Sequence, residues 1–191
     1  NIVREYNEKN LRAQFHCYSS SKSHARELIN LGHMISFTGN ITFTKADSIR
    51  DVVKSISPEN IMLETDSPFM TPKPHRGKRN EPANVRIIAE QLAQIYNMNV
   101  EDIGRITSAN VHKFYGIGKK ADLSYTYKIG KALYVNVTNR CNADCEFCDR
   151  KDHAIIAGYN LKMEKFQEPP DSVYIKDIGD PKRYSEIVFC G

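Results

Sequence analysis

Short apolar runs alternate with helical patterns over residues 1–118, and this alternation is the feature that most limits the fold. The apolar runs at 13–18, 34–43 and 61–65 predict strands, the second of them interrupted at Gly39-Asn40, and single helical patterns separate them. Strands joined by one helix each pair in parallel, because the chain must cross over before it can run in the same direction again. Three strands do not close an eight-stranded barrel. We therefore predict an α/β fold that is a partial TIM-type (β/α) barrel.

Helix signals lie before, between and after these strands. We predict helices at 1–9, at 19–31, at 46–56, from 81 to 96 and from 99 to 116. Ser19 to Ser23 supplies N-cap candidates for the second of these helices, and Asn99 is a candidate cap for the last. In the helix that Glu81-Pro82 begins, apolar residues recur at helical spacing, which predicts one buried face.

The alternation ends near residue 118, and a different order follows. We predict a linker at 119–122, hairpin strands at 123–129 and 132–138, a polar stretch to 167, a helix at 171–179 and a strand at 187–191. Gly130-Lys131 is typical of a two-residue hairpin turn with glycine first. The helix is favoured over a strand because the last run needs a crossover to pair in parallel.

Composition and charge predict the cellular location of the protein and the kind of partner it binds. The formal charge of +4 is modest, but basic residues cluster at 73–79. The sequence has neither a signal peptide nor an apolar run near the ~18 residues that span a bilayer, which predicts a cytoplasmic protein without a membrane partner. The sequence begins at Asn1 and ends in a strand-like run, so we expect it to be an excerpt of a longer polypeptide.

The segment from Ile61 to Pro82 contains the first candidate site. Its apolar run ends in the acidic pair Glu64 and Asp66 and opens into a proline-rich basic loop. A histidine at one strand end, His16, and Asp66 at another are suitable ligands for zinc, manganese or magnesium. Taken alone, His16 is also compatible with a buried, hydrogen-bonded histidine, and Asp66 with a turn residue. The basic residues of the loop are also compatible with an ordinary solvated surface.

Four motifs together, FHCYSS, ISFTGNITF, LETDSPFMTP and RGKRNEPANV, resemble the C-terminal half of the TatD family of metal-dependent hydrolases. The resemblance covers about residues 1–118 and implies a TIM-barrel hydrolase, in many members a deoxyribonuclease. It implies that His16 is a metal ligand and that Asp66 binds metal and handles the attacking water. It also implies a structural and substrate-side role for Arg79, Asn80 and Glu81.

The family site also contains a His-x-His pair, a glutamate and a further histidine, and this sequence has no His-x-His. We expect those ligands to lie before Asn1 and the 191 residues alone to be inactive as a hydrolase. Beside such a site, Arg76, Lys78 and Arg79 are predicted to attract the phosphates of DNA or of another phosphoester substrate.

The second candidate site is CNADCEFC, in which Cys141, Cys145 and Cys148 present three thiolates from one loop. Three cysteines can hold a [4Fe–4S] cluster with one open iron. A structural zinc site is the alternative, with His153 or Cys190 as fourth ligand.

This motif resembles the radical SAM signature over about residues 132–191. The resemblance implies a [4Fe–4S] cluster, S-adenosylmethionine and an electron donor, with Phe147 contacting adenine and Gly191 beginning a glycine-rich segment. The predicted order is therefore a TatD-like part at 1–118, a linker and hairpin at 119–131, and the start of a second, radical SAM-type partial (β/α) barrel at 132–191.

The leading function is metal-dependent hydrolysis of DNA; principal radical SAM activity and a non-catalytic, metal- and nucleic-acid-binding fragment are the alternatives.

Overall fold

The computed structural model describes residues 5–6, 11–141, 154–164 and 167–190. The chain divides into two compact units, Asn1–Asn110 and Val111–Gly191. The predicted helix at 1–9 lies largely outside the described residues, of which Glu5 and Tyr6 are helical.

The first unit alternates strands and helices in the predicted order. Its elements are β1 (Gln14–Phe15), α1 (Lys22–Asn30), β2 (Met34–Phe37), α2 (Asp47–Lys54), β3 (Ile61–Leu63), α3 (Val85–Tyr96) and the greater part of α4 (Val100–Tyr115), which continues past Asn110. The three strands form one sheet in the order β1-β2-β3, and both pairings are parallel. The predicted parallel arrangement is confirmed for the described residues.

The core of this unit lies between the sheet and its helices. Ile35, Phe37 and Ile61 from the sheet are fully buried, as are Ile88 and Leu92 from α3. They belong to one apolar cluster. The apolar spacing of α3 therefore marks the face that packs inward, as a period of 3.6 residues requires.

Two predicted helix caps are confirmed. The Ser21 side chain accepts a hydrogen bond from the backbone N–H of His24 at 3.3 Å and caps α1. The Asn99 Oδ1 atom accepts from the N–H of Asp102 at 2.7 Å at the start of α4. Each cap satisfies a helix-terminal N–H that has no partner within the helix.

The strand-like run predicted at 34–43, with its interruption at Gly39-Asn40, forms a strand only over Met34–Phe37. A 3-10 turn at Gly39–Thr42 follows, in which the Thr38 side chain accepts from the N–H of Asn40. A Cβ atom on Gly39 would lie 2.1 Å from the carbonyl oxygen of Met70, so only glycine fits there. This close approach packs the turn against the loop that follows β3.

The second unit contains β4 (Thr126–Ile129), β5 (Ala132–Asn136), α5 (Asp171–Ile178) and β8 (Glu186–Cys190). β4 and β5 form the predicted hairpin, with Gly130 at φ +61°, and β8 pairs with β5 in parallel. The predicted α5 crossover is confirmed. Tyr174 on α5 packs against Leu133 and Val135 and donates its hydroxyl to the backbone oxygen of Val137 at 3.0 Å.

A short hairpin was not predicted within the polar stretch that ends at residue 167. β6 (Ile155–Ile156) and β7 (Tyr159–Asn160) pair antiparallel across Ala157-Gly158, and both of these turn residues have positive φ. Asn160 anchors the hairpin, because its side-chain Nδ2 donates to the Ala121 oxygen at 3.0 Å. Two-residue strands are too short to give a periodic sequence signal.

Among the described residues, no helix combines the length and the apolar character that a membrane crossing requires.

The burial of His33 predicts that the free energy of unfolding of this fold depends on pH. Its ring is 1% exposed, its Nδ1 accepts from the N–H of Ala13 at 3.4 Å, and its Nε2 has no hydrogen-bond partner among the described residues. Burial lowers the pKa of His33 below its usual value. The unfolded chain therefore binds a proton at mildly acidic pH that the folded chain excludes, and the free energy of unfolding should fall as pH decreases below about 6.5.

Urea unfolding at pH 7.5 and pH 5.0 measures this effect. We expect His33→Asn, which retains an acceptor but does not titrate, to lose less stability than the wild type over this pH interval. An equal pH dependence in both proteins would contradict the role assigned to His33.

Candidate functional site

Three potential metal ligands lie together at one edge of the parallel sheet. His16 follows β1, and Glu64 and Asp66 follow β3. One ligand atom from each residue lies within 4.8 Å of the other two, and His16 Nδ1 is 3.9 Å from Asp66 Oδ1. This edge holds the carboxyl ends of the strands, where α/β barrels position their catalytic groups.

Glu64 is held in this cluster by backbone contacts. Its N–H donates to the carbonyl oxygen of Phe37 at 3.3 Å, which extends the pairing of β3 with β2 by one residue. Its Oε1 accepts a hydrogen bond from the N–H of Cys17. Glu64 was not among the predicted ligands, although its spacing from Asp66 was a signal, because alternate residues of an extended chain point to the same side.

Asp66 adopts an uncommon backbone conformation, with φ +52°. Aspartate tolerates this left-handed region better than most residues, since its short side chain bonds locally. Its carbonyl oxygen accepts from the N–H of Phe69 at 2.7 Å, so a tight turn follows it directly. Cys17, beside His16, also has a positive φ, of +45°. Sharp turns therefore follow both strands at the cluster.

The Asn80 side chain holds the loop that contains Asp66 in place through hydrogen bonds. Its side chain is 2% exposed, and Nδ2 donates to the carbonyl oxygens of Thr65 at 2.7 Å and of Phe69 at 2.5 Å. Its Oδ1 accepts from the N–H of Glu81 and from Asn84 Nδ2. One buried amide thus joins the residues on both sides of Asp66 to the start of the next helical segment.

The Cys17 thiol lies beside the acidic pair. Burial raises the pKa of Cys17, and the nearby charges of Asp66 and Glu64 raise it further, while its hydrogen bond with Thr38 opposes them. The sulfur is 3.4 Å from Thr38 Oγ1 and 3.8 Å from Asn40 Nδ2. The thiol therefore packs against Thr38 and Asn40.

The basic loop packs on the 3-10 turn that follows β2. Arg76 places its guanidinium 3.7 Å from the centroid of the Phe43 ring, and Lys73 donates its ammonium to Thr44 Oγ1. Lys78 and Arg79 are exposed. The substrate role of Arg76, Lys78 and Arg79 stays a prediction.

The second predicted site falls mainly outside the described residues. Cys141 is exposed and follows β5 after a short segment. Cys145, Phe147, Cys148 and Gly191 lie outside the part of the chain that the structure describes, so their assigned roles stay predictions.

Comparison with known proteins assigns the first part of the chain. The family model for TatD related DNase matches residues 1–116. The chain belongs to this family. The uncharacterized metal-dependent hydrolase YabD of Bacillus subtilis is 39% identical over 116 residues, which are 61% of this chain and 46% of that protein. The uncharacterized metal-dependent hydrolase YcfH of Escherichia coli K12 is 36% identical over 116 residues, or 61% and 44%.

Solved structures show the same fold. The TatD homolog YjjV from Escherichia coli superposes with a TM-score of 0.57 at 22% identity, over 61% of this chain and 45% of that one. A TatD family hydrolase from Entamoeba histolytica gives a TM-score of 0.51 at 20% identity, over 61% and 46%. The chain thus has mixed α/β content with TatD-like neighbours of the TIM-barrel type, and it spans less than half the length of these relatives.

The residues present fit the divalent metal that the family implies. One imidazole nitrogen and two carboxylate oxygens, all within 4.8 Å, form a donor set that zinc, manganese and magnesium accept. The cluster lies on the sheet edge expected for a TatD site.

Asn80→Ala tests whether the buried amide positions the metal ligands. The variant leaves the Thr65 and Phe69 carbonyls without a donor, which should lower the free energy of unfolding by about 1–3 kcal/mol. It should also weaken binding of Mn²⁺, measured by titration calorimetry, because the Asp66 loop loses its anchor.

Asn84→Ala is the matched control, since it removes a single hydrogen bond to Asn80. Asn80→Ala and Asn84→Ala proteins with the same stability and the same metal affinity would refute the anchoring role.

Proposed function

We propose that the polypeptide carrying this sequence is a metal-dependent hydrolase that cleaves phosphodiester bonds in DNA. The observation that carries the proposal is the convergence of His16, Glu64 and Asp66 at the carboxyl ends of parallel strands. Membership of the TatD related DNase family supports the same chemistry.

The donor set suits a divalent ion, which when bound lowers the pKa of a water molecule and offsets negative charge on a phosphoryl oxygen. The side chains have separate tasks. Asp66 is 30% exposed, so its carboxylate can reach an attacking water and accept its proton. Glu64 is fixed by the Cys17 N–H and holds its position during that transfer.

Two surface features beside the cluster favour a nucleic acid. Lys78 and Arg79 are exposed on the basic loop and provide charge for backbone phosphates. Phe69, three residues beyond Asp66, is 74% exposed, although large apolar side chains are usually buried. An exposed aromatic ring near cations is a surface on which an unpaired base can stack.

We propose a second activity for the C-terminal part, radical SAM chemistry with a [4Fe–4S] cluster bound by Cys141, Cys145 and Cys148. What supports it is the CNADCEFC motif together with the order of elements around it. β5 leads towards Cys141, α5 crosses over, and β8 returns in parallel beside β5. This is the strand–loop–helix–strand order that begins a (β/α) barrel. S-adenosylmethionine and an electron donor would be the partners of this part.

Asp66→Asn in the complete polypeptide tests the hydrolase. With Mn²⁺ and a fluorescent DNA oligonucleotide, kcat should fall by about 10²–10⁴-fold, because the amide cannot accept a proton. Asp51→Asn on α2 makes the same charge change at an exposed position and should retain activity. Retention of full activity in Asp66→Asn, or wild-type cleavage that persists in EDTA, would refute the proposal.

Anaerobic reconstitution with iron and sulfide tests the cluster. We expect a visible absorption band and, after reduction, a four-iron EPR signal, both lost in Cys145→Ala and retained in Cys17→Ala. A colourless protein that keeps zinc would replace the radical SAM assignment with a structural zinc site.

A further inference from the structure

A cavity of about 430 Å³ lies between the 3-10 turn after β2 and the basic loop. Residues that line it include Asn40, Phe43, Lys45, Ser48, Lys73 and Arg76. Its volume lies in the range of pockets that hold small organic ligands, and it exceeds what a bare phosphate ion fills. We call it the loop cavity.

The charges that face the loop cavity are all positive. Lys45, Lys73 and Arg76 line it, and none of its lining residues is acidic. The nearest carboxylate in sequence, Asp47, pairs with Arg50 at 2.6 Å. The three cations therefore have no carboxylate among the lining residues, and such a cavity favours a ligand with more than one negative charge.

The start of α2 adds hydrogen-bond donors to the same wall. Ala46 is the N-cap of α2 and makes no side-chain capping bond, and Ala46, Ser48 and Ile49 line the cavity. The first N–H groups of a helix lack partners within the helix and carry partial positive charge. A phosphate group matches both properties.

Asn40 provides an independent indication of a ligand. It is 5% exposed and lines the cavity, yet its Oδ1 has no hydrogen-bond partner among the described residues. A buried polar atom without a partner is costly, so a native structure that keeps one calls for a group that bonds to it. That group must donate a hydrogen bond, as a water molecule, a sugar hydroxyl or a base N–H does and a fully ionised phosphate does not.

The loop cavity lies beside the metal-ligand cluster. Asn40 Nδ2 is 3.8 Å from the Cys17 sulfur, and the Cys17 N–H donates to Glu64. The chain of contacts from the cavity to a candidate metal ligand therefore passes through a single residue.

We propose that the loop cavity binds the 5′-terminal, phosphorylated nucleotide of the substrate strand. Its phosphate monoester lies among Lys45, Lys73 and Arg76 at the start of α2, and a hydroxyl or N–H of the same nucleotide donates to Asn40. A monoester carries more negative charge at neutral pH than an internal phosphodiester, so the cations select strand ends. The inference rests on the proposed function for the identity of the substrate.

Binding of two trinucleotides tests it, one with a 5′-phosphate and one with a 5′-hydroxyl, each labelled at the 3′ end. Fluorescence anisotropy with the complete polypeptide in EDTA and 150 mM NaCl separates binding from hydrolysis. We expect the phosphorylated strand to bind about tenfold more tightly. Equal affinities would overturn the proposal.

Two variants identify the cavity as the cause. Lys73→Gln with Arg76→Gln should abolish the preference for the 5′-phosphate. Ser48→Glu should abolish it too, while leaving the fold intact, because an acidic residue in the first turn stabilises a helix. A preference that persists in Ser48→Glu would place the phosphate elsewhere.

Lys22→Gln with Lys54→Gln is the charge-matched control, since neither residue lines the cavity and both pair with Asp51. This variant should retain the preference for the 5′-phosphate. Loss of the preference in this variant would show a general charge effect and overturn the proposal.

Nuclease activity on strands with a 5′-hydroxyl is measured separately. A 5′-phosphate preference without cleavage would refute the proposed hydrolase and support the proposed role of the loop cavity. Cleavage without the preference would support the hydrolase and refute the role of the loop cavity.

Discussion

Parallel pairing of β1, β2 and β3 is the constraint on which the candidate site depends. Because all three strands run in the same direction, the residues that follow β1 and β3 lie at the same edge of the sheet. His16 and Asp66 are far apart in sequence, yet they lie within 3.9 Å of each other. A one-residue slip of β3 against β2 would turn Glu64 to the opposite face. The core opposes that slip, because it would exchange the buried side chains of Ile61 and Met62 between the two faces of the sheet.

The same edge brings two loops into contact, and glycine permits it. Gly39 lies against the backbone of Met70 and Pro72, where no side chain has room. The loop after β2 and the loop after β3 therefore pack as one layer. This packing has two consequences: Asn80 can fix the turn around Asp66, and the loop cavity forms between Phe43 and Arg76.

Sequence reasoning could predict the parts of this arrangement that follow from periodicity. The alternation of strands and helices and the caps at Asn99 and within Ser19 to Ser23 depend on local patterns. The convergence of His16 and Asp66 then followed from placing both residues at the ends of parallel strands. Glu64 was recognised as part of an acidic pair but not as a ligand. Its position depends on a hydrogen bond from Cys17, a residue on another strand end, and no local pattern encodes such a contact.

Strand ends and buried amides were harder to predict for the same reason. The interruption of the run ISFTGNITF at Gly39-Asn40 could be predicted, but the 3-10 turn there and the close approach of Met70 to Gly39 could not. Asn80 received a general structural role from the loop signature, whereas its four hydrogen bonds are visible only in three dimensions. Asn40 gave no sequence signal, since an asparagine beside glycine usually indicates a simple turn.

The geometric constraint of the first unit also applies within the second. β5 and β8 are parallel and in register, with Asn136 opposite Cys190, so the segments that follow both strands leave from the same edge. Cys141 follows β5 and therefore lies on the side of the sheet where β8 ends. In each unit, parallel pairing brings together residues that are distant in sequence, and it is this pairing, more than any single motif, that gives the proposed chemistry a place to occur.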